Sequence, residues 1–345
     1  MWGTKGRYRN PVYGQHFLDL LDLLIDLKLI DQLTRGYRFS RRVRQLTTIQ
    51  PTGQLVKHLP LGKTGWDDFR YEQEPEVIIL KSGKDDDGNA EPIEYKDTRN
   101  TRKWRRQINA INTCLRRAPV ALFGSASRVR LDREGQPIDP QRRLLRRVFN
   151  NKDWQQGGRL FGGFWMGMER ADRFRLLRID GEPIANVDYQ QLFPRLAYVR
   201  ADTEQPSGDL YDVSGDGSCR DGWKQLINAL LFAERALKQW PEGTRKHFPP
   251  TLKLATAVEA IKRKHAPIAS WFERGIGFRL FRIESDMLVA VVTALFKHGI
   301  TALPLHDSVL VARSHAEMAR DFMQYEFTLR TGSSSGIVKI EVMPN

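Results

Sequence analysis

Apolar residues along the chain recur in two rhythms, a helical spacing and short runs bounded by glycine or proline. Over residues 17–33 leucines recur among Asp19, Asp22 and Asp26, which predicts a helix stopped near Gly36. Trp104, Ile108, Ile111 and Leu115 fall at i, i+4, i+7 and i+11 and predict a helix over 98–117 with one apolar face. The run Arg142-Arg143-Leu144-Leu145-Arg146-Arg147 reads as another helix, with paired basic edges. The glycine- and aromatic-rich stretch 157–165 lacks the Gly-Lys-Ser/Thr ending of a phosphate loop. It reads as an extended segment in close backbone contact with a neighbour. Strands are predicted over 174–179 and 184–187, around a turn at 180–183. A helix follows Asp188 and tolerates Pro194 in its first turns.

Helical patterns resume over 219–239, 253–265 and 284–297, the last apolar on most faces and therefore buried. Short strands over 301–305 and 309–312 enclose His306-Asp307-Ser308, and a helix (315–329) and a strand (337–342) follow. The C-terminal half is thus expected to be α+β, a small antiparallel sheet backed by helices.

Composition narrows the function classes. With 345 residues, 41% hydrophobic and 10% aromatic, the chain is globular, with room for two or three domains. No stretch approaches the ~20 apolar residues of a membrane span, and residues 1–10 carry no apolar signal-peptide core. Cys114 and Cys219 are too few for a disulfide framework, which fits a cytoplasmic protein, and no Cys/His cluster has zinc spacing. The acidic turn at 84–88 lacks the ligand periodicity of a calcium loop and reads as solvated. Net charge is +14 and unevenly spread. Residues 1–180 hold 35 Lys and Arg against 22 Asp and Glu, whereas 181–345 hold 20 against 19. Residues 99–150 alone hold 14 basic and 3 acidic side chains, which points to a polyanion-binding region.

Three segments carry candidate chemistry. Asp188 lies where a strand gives way to a helix, and Asp307 lies in a tight hairpin. Each alone also reads as an ordinary cap or turn residue. If their strands are neighbours, the carboxylates converge and suit two magnesium ions, which in phosphoryl-transfer sites sit about 3.5–4 Å apart. Between them Arg220, Lys224, Asn228 and Phe232 recur every four residues, one stripe on a helix. An Arg and a Lys one turn apart suit a triphosphate, and the phenyl ring offers a flat face to a base or sugar. A solvated surface helix is the bland alternative.

In order and content these segments resemble motifs A, B and C of family A DNA polymerases. Asp188, Tyr189, Gln191, Leu192 and Arg195 match the motif A pattern Asp-Tyr-Ser-Gln-Leu/Ile-Glu-Leu-Arg. Arg220, Lys224 and Phe232 match motif B, and His306 and Asp307 match the His-Asp-Glu of motif C. The resemblance covers about residues 155–345. It departs at Phe193, where the family has a glutamate that shapes sugar selection, and at Phe232, Ala233 and Ser308, where it has tyrosine, glycine and glutamate. By the resemblance, an aromatic at 193 would still crowd a ribose 2′-OH. His-Asp-Ser is also the motif C of single-subunit RNA polymerases.

The resemblance implies an α+β right-hand polymerase with an antiparallel-sheet palm, short helical fingers and a basic, mostly helical, thumb-like N-terminal region. The expected divisions are 1–154 (thumb-like), 155–212 (palm, first part), 213–280 (fingers) and 281–345 (palm, second part). It implies a DNA-directed DNA polymerase, a monomer of a bacterial, phage or plasmid-type replicon, that extends a primer 3′-OH with dNTPs. Two Mg2+ ions, with Mn2+ as a substitute, would be held by Asp188, Asp307 and the Tyr189 carbonyl. Tyr189, Phe193, Arg220, Lys224, Asn228 and Phe232 would contact the nucleotide. His306 and Arg195 would contact primer and template, and Arg102, Arg105, Arg106, Arg142, Arg143, Arg146 and Arg147 the duplex backbone. The rivals are an RNA polymerase, primase or reverse transcriptase using NTPs or an RNA template, and an inactive nucleic-acid-binding replication protein.

Overall fold

The computed structural model describes residues 6–8, 14–38, 44–45, 47–58, 75–85, 88–124, 132–135 and 138–343. The chain divides into two compact units, Met1–Glu76 and Val77–Asn345. Asp86 and Asp87 of the acidic turn, and Arg128 and Arg130, fall outside the described residues.

The first unit contains α1 (Gln15–Asp26), β1 (Ile30–Thr34), β2 (Tyr37–Arg38), β3 (Arg44–Gln45), β4 (Thr48–Pro51) and α2 (Gly53–His58). Strands β1 and β4 pair antiparallel, as do β2 and β3. The helix expected over 17–33 therefore stops at Asp26. Lys28 adopts a left-handed φ of 55°, and buried Ile30 begins a strand instead.

The second unit contains β5 (Ile78–Leu80), α3 (Arg99–Arg117), β6 (Val120–Leu122), β7 (Arg146–Asn150), β8 (Asp153–Phe161), α4 (Arg170–Leu176), β9 (Leu177–Ile179) and β10 (Glu182–Tyr189). It continues with α5 (Leu192–Arg200), α6 (Arg220–Phe232), α7 (Leu254–Lys264), α8 (Gly277–Lys297), β11 (Leu303–Leu305), β12 (Ser308–Ala312), α9 (Ala316–Thr331) and β13 (Val338–Val342). The architecture is α+β. Strands β11, β12, β10, β9 and β6 form an antiparallel sheet in that order, and β13 joins on β10. Helix α9 packs on β10, where the Tyr189 hydroxyl donates to the Met323 carbonyl at 2.7 Å. By the alternation of a strand, Asn186 and Asp188 face the other side.

A second sheet, β5-β7-β8, has β5 parallel to β7 and is covered by α3 and α8. The helix predicted over 98–117 is present as α3, capped by Thr98 in a reciprocal box with Thr101. Its Trp104 stacks on Phe149 of β7 at 4.8 Å. Strand β8 lies so close to α8 that a Cβ on Gly158 would sit 2.7 Å from Ser285 Oγ. Glycine answers that approach and the φ of +86°.

Three further expectations, all about elements, are corrected. Residues 146–150 form a strand, not a helix, because Arg147 and Phe149 are buried while their neighbours are only half-buried, a period of two that the arginines masked. Residues 174–176 end α4 rather than begin a strand. Helix α6 stops at Phe232 where Ala233 turns extended, and α8 begins at Gly277. The boundary between the compact units lies after Glu76, so α3 and β5 to β7 share a unit with residues 155–345.

Candidate active site

Strands β10 and β12 bring the two aspartates together. Asp188 is the register partner of Ser308, and Asp307 immediately precedes Ser308 in the two-residue turn from β11 to β12. The Tyr189 amide donates to the Asp307 carbonyl at 3.4 Å, which continues the ladder past the carboxylates. Burial and the neighbouring Asp307 charge push the Asp188 carboxyl up to about 8. Lys224 and a 2.8 Å hydrogen bond from Gln190 Nε2 oppose that rise, while Glu284 adds to it. His306 turns the hairpin with a left-handed φ of 58°, a strained geometry for a residue with a Cβ. Its Nδ1 and the Asn186 Oδ1 are buried and find no hydrogen-bond partner among the described residues.

Helix α6 brings Lys224 of its stripe within electrostatic reach of Asp188. Arg220 is half-exposed and ion-pairs with Asp209, and Lys224 is exposed. One buried tyrosine backs the stripe. The Tyr211 ring lies 5.6 Å from the Arg220 guanidinium and 6.0 Å from Lys224 Nζ, and its hydroxyl donates to Asn228 Oδ1 at 3.5 Å. Burial, then the Asp307 charge, raises the Tyr211 phenol far above its ordinary value, so it stays a neutral donor. Neither Asp209 nor Tyr211 is singled out by the sequence, because both lie in a loop with no period to expose them.

Phe232, at the end of the stripe, meets Phe193 of α5 edge-on, with ring centroids 5.8 Å apart. Phe281 of α8 packs against both, at 4.5 and 5.2 Å. Gly277 permits the crossing, since a Cβ there would lie 2.5 Å from the Phe232 ring. Over the Phe281 face, at 3.6 Å, sits the Arg159 guanidinium. Arg159 forks onto Glu284 with two 2.6 Å bonds, and Glu284 is fully buried. Burial pushes the Glu284 carboxyl up to about 7 against the pull of Arg159. Burial, then the Arg159 charge, lowers the His306 imidazole. Arg159 and Glu284 therefore belong to the site. Arg159 was hidden in the glycine run, and Glu284 in a helix read only as apolar.

No protein-family model and no curated protein matches the chain. Among solved structures, the polymerase domain of Pol1 from M. smegmatis, in complex with a DNA primer-template and dNTP, is similar at a TM-score of 0.36 and 11% identity. The alignment covers 70% of this chain and 51% of that one, so this chain spans about half the length of that relative.

Several expected contact residues sit elsewhere. The Tyr189 ring is 2% exposed and packs against Phe327, which leaves only its backbone at the site. Arg195 is buried and serves the scaffold. It donates to the Gln190 carbonyl (3.1 Å), Gln205 (3.0 Å) and the Ser335 carbonyl (2.8 Å), and so braces the bend after Asp188. Arg143 is buried and donates to the carbonyls of Leu115, Ala118 and Val120 around the end of α3. Arg147 is 1% exposed and pairs with Asp286. Burial, invisible in the charge count, gives these guanidiniums protein partners. Arg105 bonds Asp97 and the Tyr95 hydroxyl. Arg146 is half-buried, and Arg102, Arg106 and Arg142 are exposed. Ser308 donates to the Leu305 carbonyl at 2.9 Å and so closes the hairpin.

Among the described residues no helix is long and apolar enough to cross a membrane. None of them forms a group of three or more His, Cys, Asp or Glu able to hold a metal.

Proposed function

We propose that this chain is a template-directed nucleotidyltransferase that extends a primer 3′-OH with deoxynucleoside triphosphates on a DNA template. The observation that carries the reading is the juxtaposition of Asp188 and Asp307 at the β10–β12 end, with Lys224 of α6 within electrostatic reach of Asp188. Burial and the Asp307 charge disfavour the ionised form of Asp188, a crowding that a divalent cation would relieve, and hard oxygen ligands suit magnesium or manganese. The ions would be held by Asp188, Asp307, the Tyr189 carbonyl and water, since magnesium takes few protein ligands. Bound there, they would supply charge stabilisation for phosphoryl transfer.

The chain's own residues would do the rest. Arg220 and Lys224 bind the triphosphate, with Tyr211 and Asn228 holding the stripe in place. The primer 3′-hydroxyl gives its proton to solvent and its oxygen attacks the α-phosphorus; a P–O bond forms, the bond from the α-phosphorus to the bridging oxygen breaks and pyrophosphate leaves. Phe193 and Phe232 form an apolar wall that offers a 2′-OH no hydrogen-bond partner, which favours deoxynucleotides. His306, strained and with an unpartnered nitrogen, would meet the primer terminus.

The test is primer extension with dNTPs or NTPs on DNA or RNA templates. Extension with dNTPs on DNA is expected. Preference for NTPs or RNA would move the chain to the RNA polymerase, primase or reverse-transcriptase readings. Nucleic-acid binding with no extension on any combination would leave only a binding protein.

A further inference from the structure

Helix α8 presents a second polar face. Glu284 points toward Arg159 and the aspartates, but Asp286, two residues on, lies about 200° around the axis. There α3, β7, β8, α8 and α9 line an open recess of about 260 Å3. Its walls carry Lys103, Arg147, Arg282 and Arg330 against a single lining carboxylate, Asp286. Arg147 and Arg282 both pair with Asp286, and Arg330 pairs with Glu326 at 3.1 Å. Lys103 is exposed and has no ion-pair partner among the described residues. Four cations thus share two carboxylates.

This recess is also built. Arg147, 1% exposed, is fixed by bonds to the Gly158 carbonyl (2.9 Å), Ser285 Oγ (2.9 Å) and Asp286 (2.6 Å). The Trp104 ring supports the guanidiniums of Arg147 and Arg282 at 5.6 and 5.0 Å. Pre-oriented guanidiniums with surplus positive charge, in a partly desolvated recess, select planar or tetrahedral oxyanions. The volume falls below the roughly 300–1,000 Å3 of pockets that hold drug-sized ligands. It suits one or two phosphoryl groups rather than a whole nucleotide.

We infer that this recess is a second anion site, separate from the aspartate pair, that takes a phosphoryl group. The group would come from a free phosphate such as pyrophosphate or from the 5′-phosphate of a strand. The inference stands whether or not the chain is a polymerase.

Titration calorimetry with pyrophosphate, on the full chain carrying Lys224→Ala so that the α6 stripe is weakened, tests it. Binding is expected, with affinity lower by about tenfold or more after Lys103→Glu or Arg330→Glu. Both positions are exposed, and unchanged thermal unfolding would show that the fold survives. A companion titration compares 5′-phosphorylated with 5′-hydroxyl oligonucleotides. Tighter binding of the phosphorylated strand, abolished in Lys103→Glu, assigns the strand as the source. Binding of pyrophosphate without that preference assigns the free anion. If neither ligand is discriminated, or both charge reversals leave affinity unchanged, the site does not exist.

Discussion

Cationic side chains do opposite work in two parts of this molecule. In the segment around β7, Arg143 and Arg147 are buried and spend their donors on protein carbonyls and a carboxylate. On α6, Arg220 is half-exposed and paired with Asp209, and Lys224 is exposed, within electrostatic reach of an Asp188 carboxyl it does not neutralise. The first set is committed to the fold, and burial lowers the Arg147 guanidinium to about 10 even with Asp286 alongside. Under the proposed function, the second set would bind a triphosphate, with Arg220 exchanging its Asp209 partner for a phosphate. Net charge alone cannot tell these roles apart, because the difference lies in desolvation and in which partners are already in place.

The contrast is open to experiment. The largest effect should follow Asp188→Ala or Asp307→Ala, with primer extension falling by about 10³-fold or more, read by single-turnover kinetics, while DNA affinity holds. Arg147→Ala should instead act on the fold. Stripping a buried partner from Asp286 should cost about 3–5 kcal/mol in urea unfolding, toward the lower figure because Asp286 is partly exposed. Arg220→Ala and Lys224→Ala should leave unfolding nearly unchanged and lower the efficiency of nucleotide use about ten- to hundredfold, from removing about 1.5–3 kcal/mol per charge-assisted bond. If Arg147→Ala unfolds like wild type, or Lys224→Ala destabilises as Arg147→Ala should, the division of labour is wrong.

A smaller effect separates exposed from buried arginines within the basic segment. Reversing Arg102 and Arg106 should weaken duplex binding and flatten its salt dependence by roughly one unit of log–log slope for each phosphate no longer neutralised. Unchanged slopes would take α3 out of the DNA path. The subtlest effect concerns pH. His265 donates to the Leu210 carbonyl at 2.9 Å and bonds the Tyr198 hydroxyl at 3.0 Å, and so braces the segment that leads to Tyr211. Burial depresses its imidazole to about 4, against ~6.5 in an unfolded chain. The unfolded state therefore takes up the proton first as pH falls. This contribution to stability is present above ~6.5 and disappears as pH falls toward 4. Melting temperatures of wild type and His265→Gln, compared from pH 7.5 to 4.5, should converge at the acid end.

What was legible in the sequence follows from where its signals lived. The strand-end aspartates and the α6 stripe were readable because both depend on short local spacings, period two and period four. Helix α3 was readable from the spacing of Trp104, Ile108, Ile111 and Leu115; its Thr98 cap was not read. Strand β7 was not, since its alternation is carried by arginines, one of which, Arg147, faces the core. Arg159 and Glu284 pair across 125 positions of sequence, a contact no local pattern encodes. The scaffold bonds of Arg195 across the bend after Asp188, and of Ser308 across its hairpin, leave no trace in local spacing.

Single-nucleotide incorporation decides whether Asp188 and Asp307 are a reacting centre served by the α6 stripe. Each dNTP is offered separately with magnesium to a primer–template of known next base, and primer length and released pyrophosphate are followed together. Extension by the complementary nucleotide alone is expected, with one pyrophosphate per nucleotide added, and no reaction after chelation or in Asp307→Asn. No incorporation by the wild-type chain, or incorporation that persists in Asp307→Asn, would overturn the assignment.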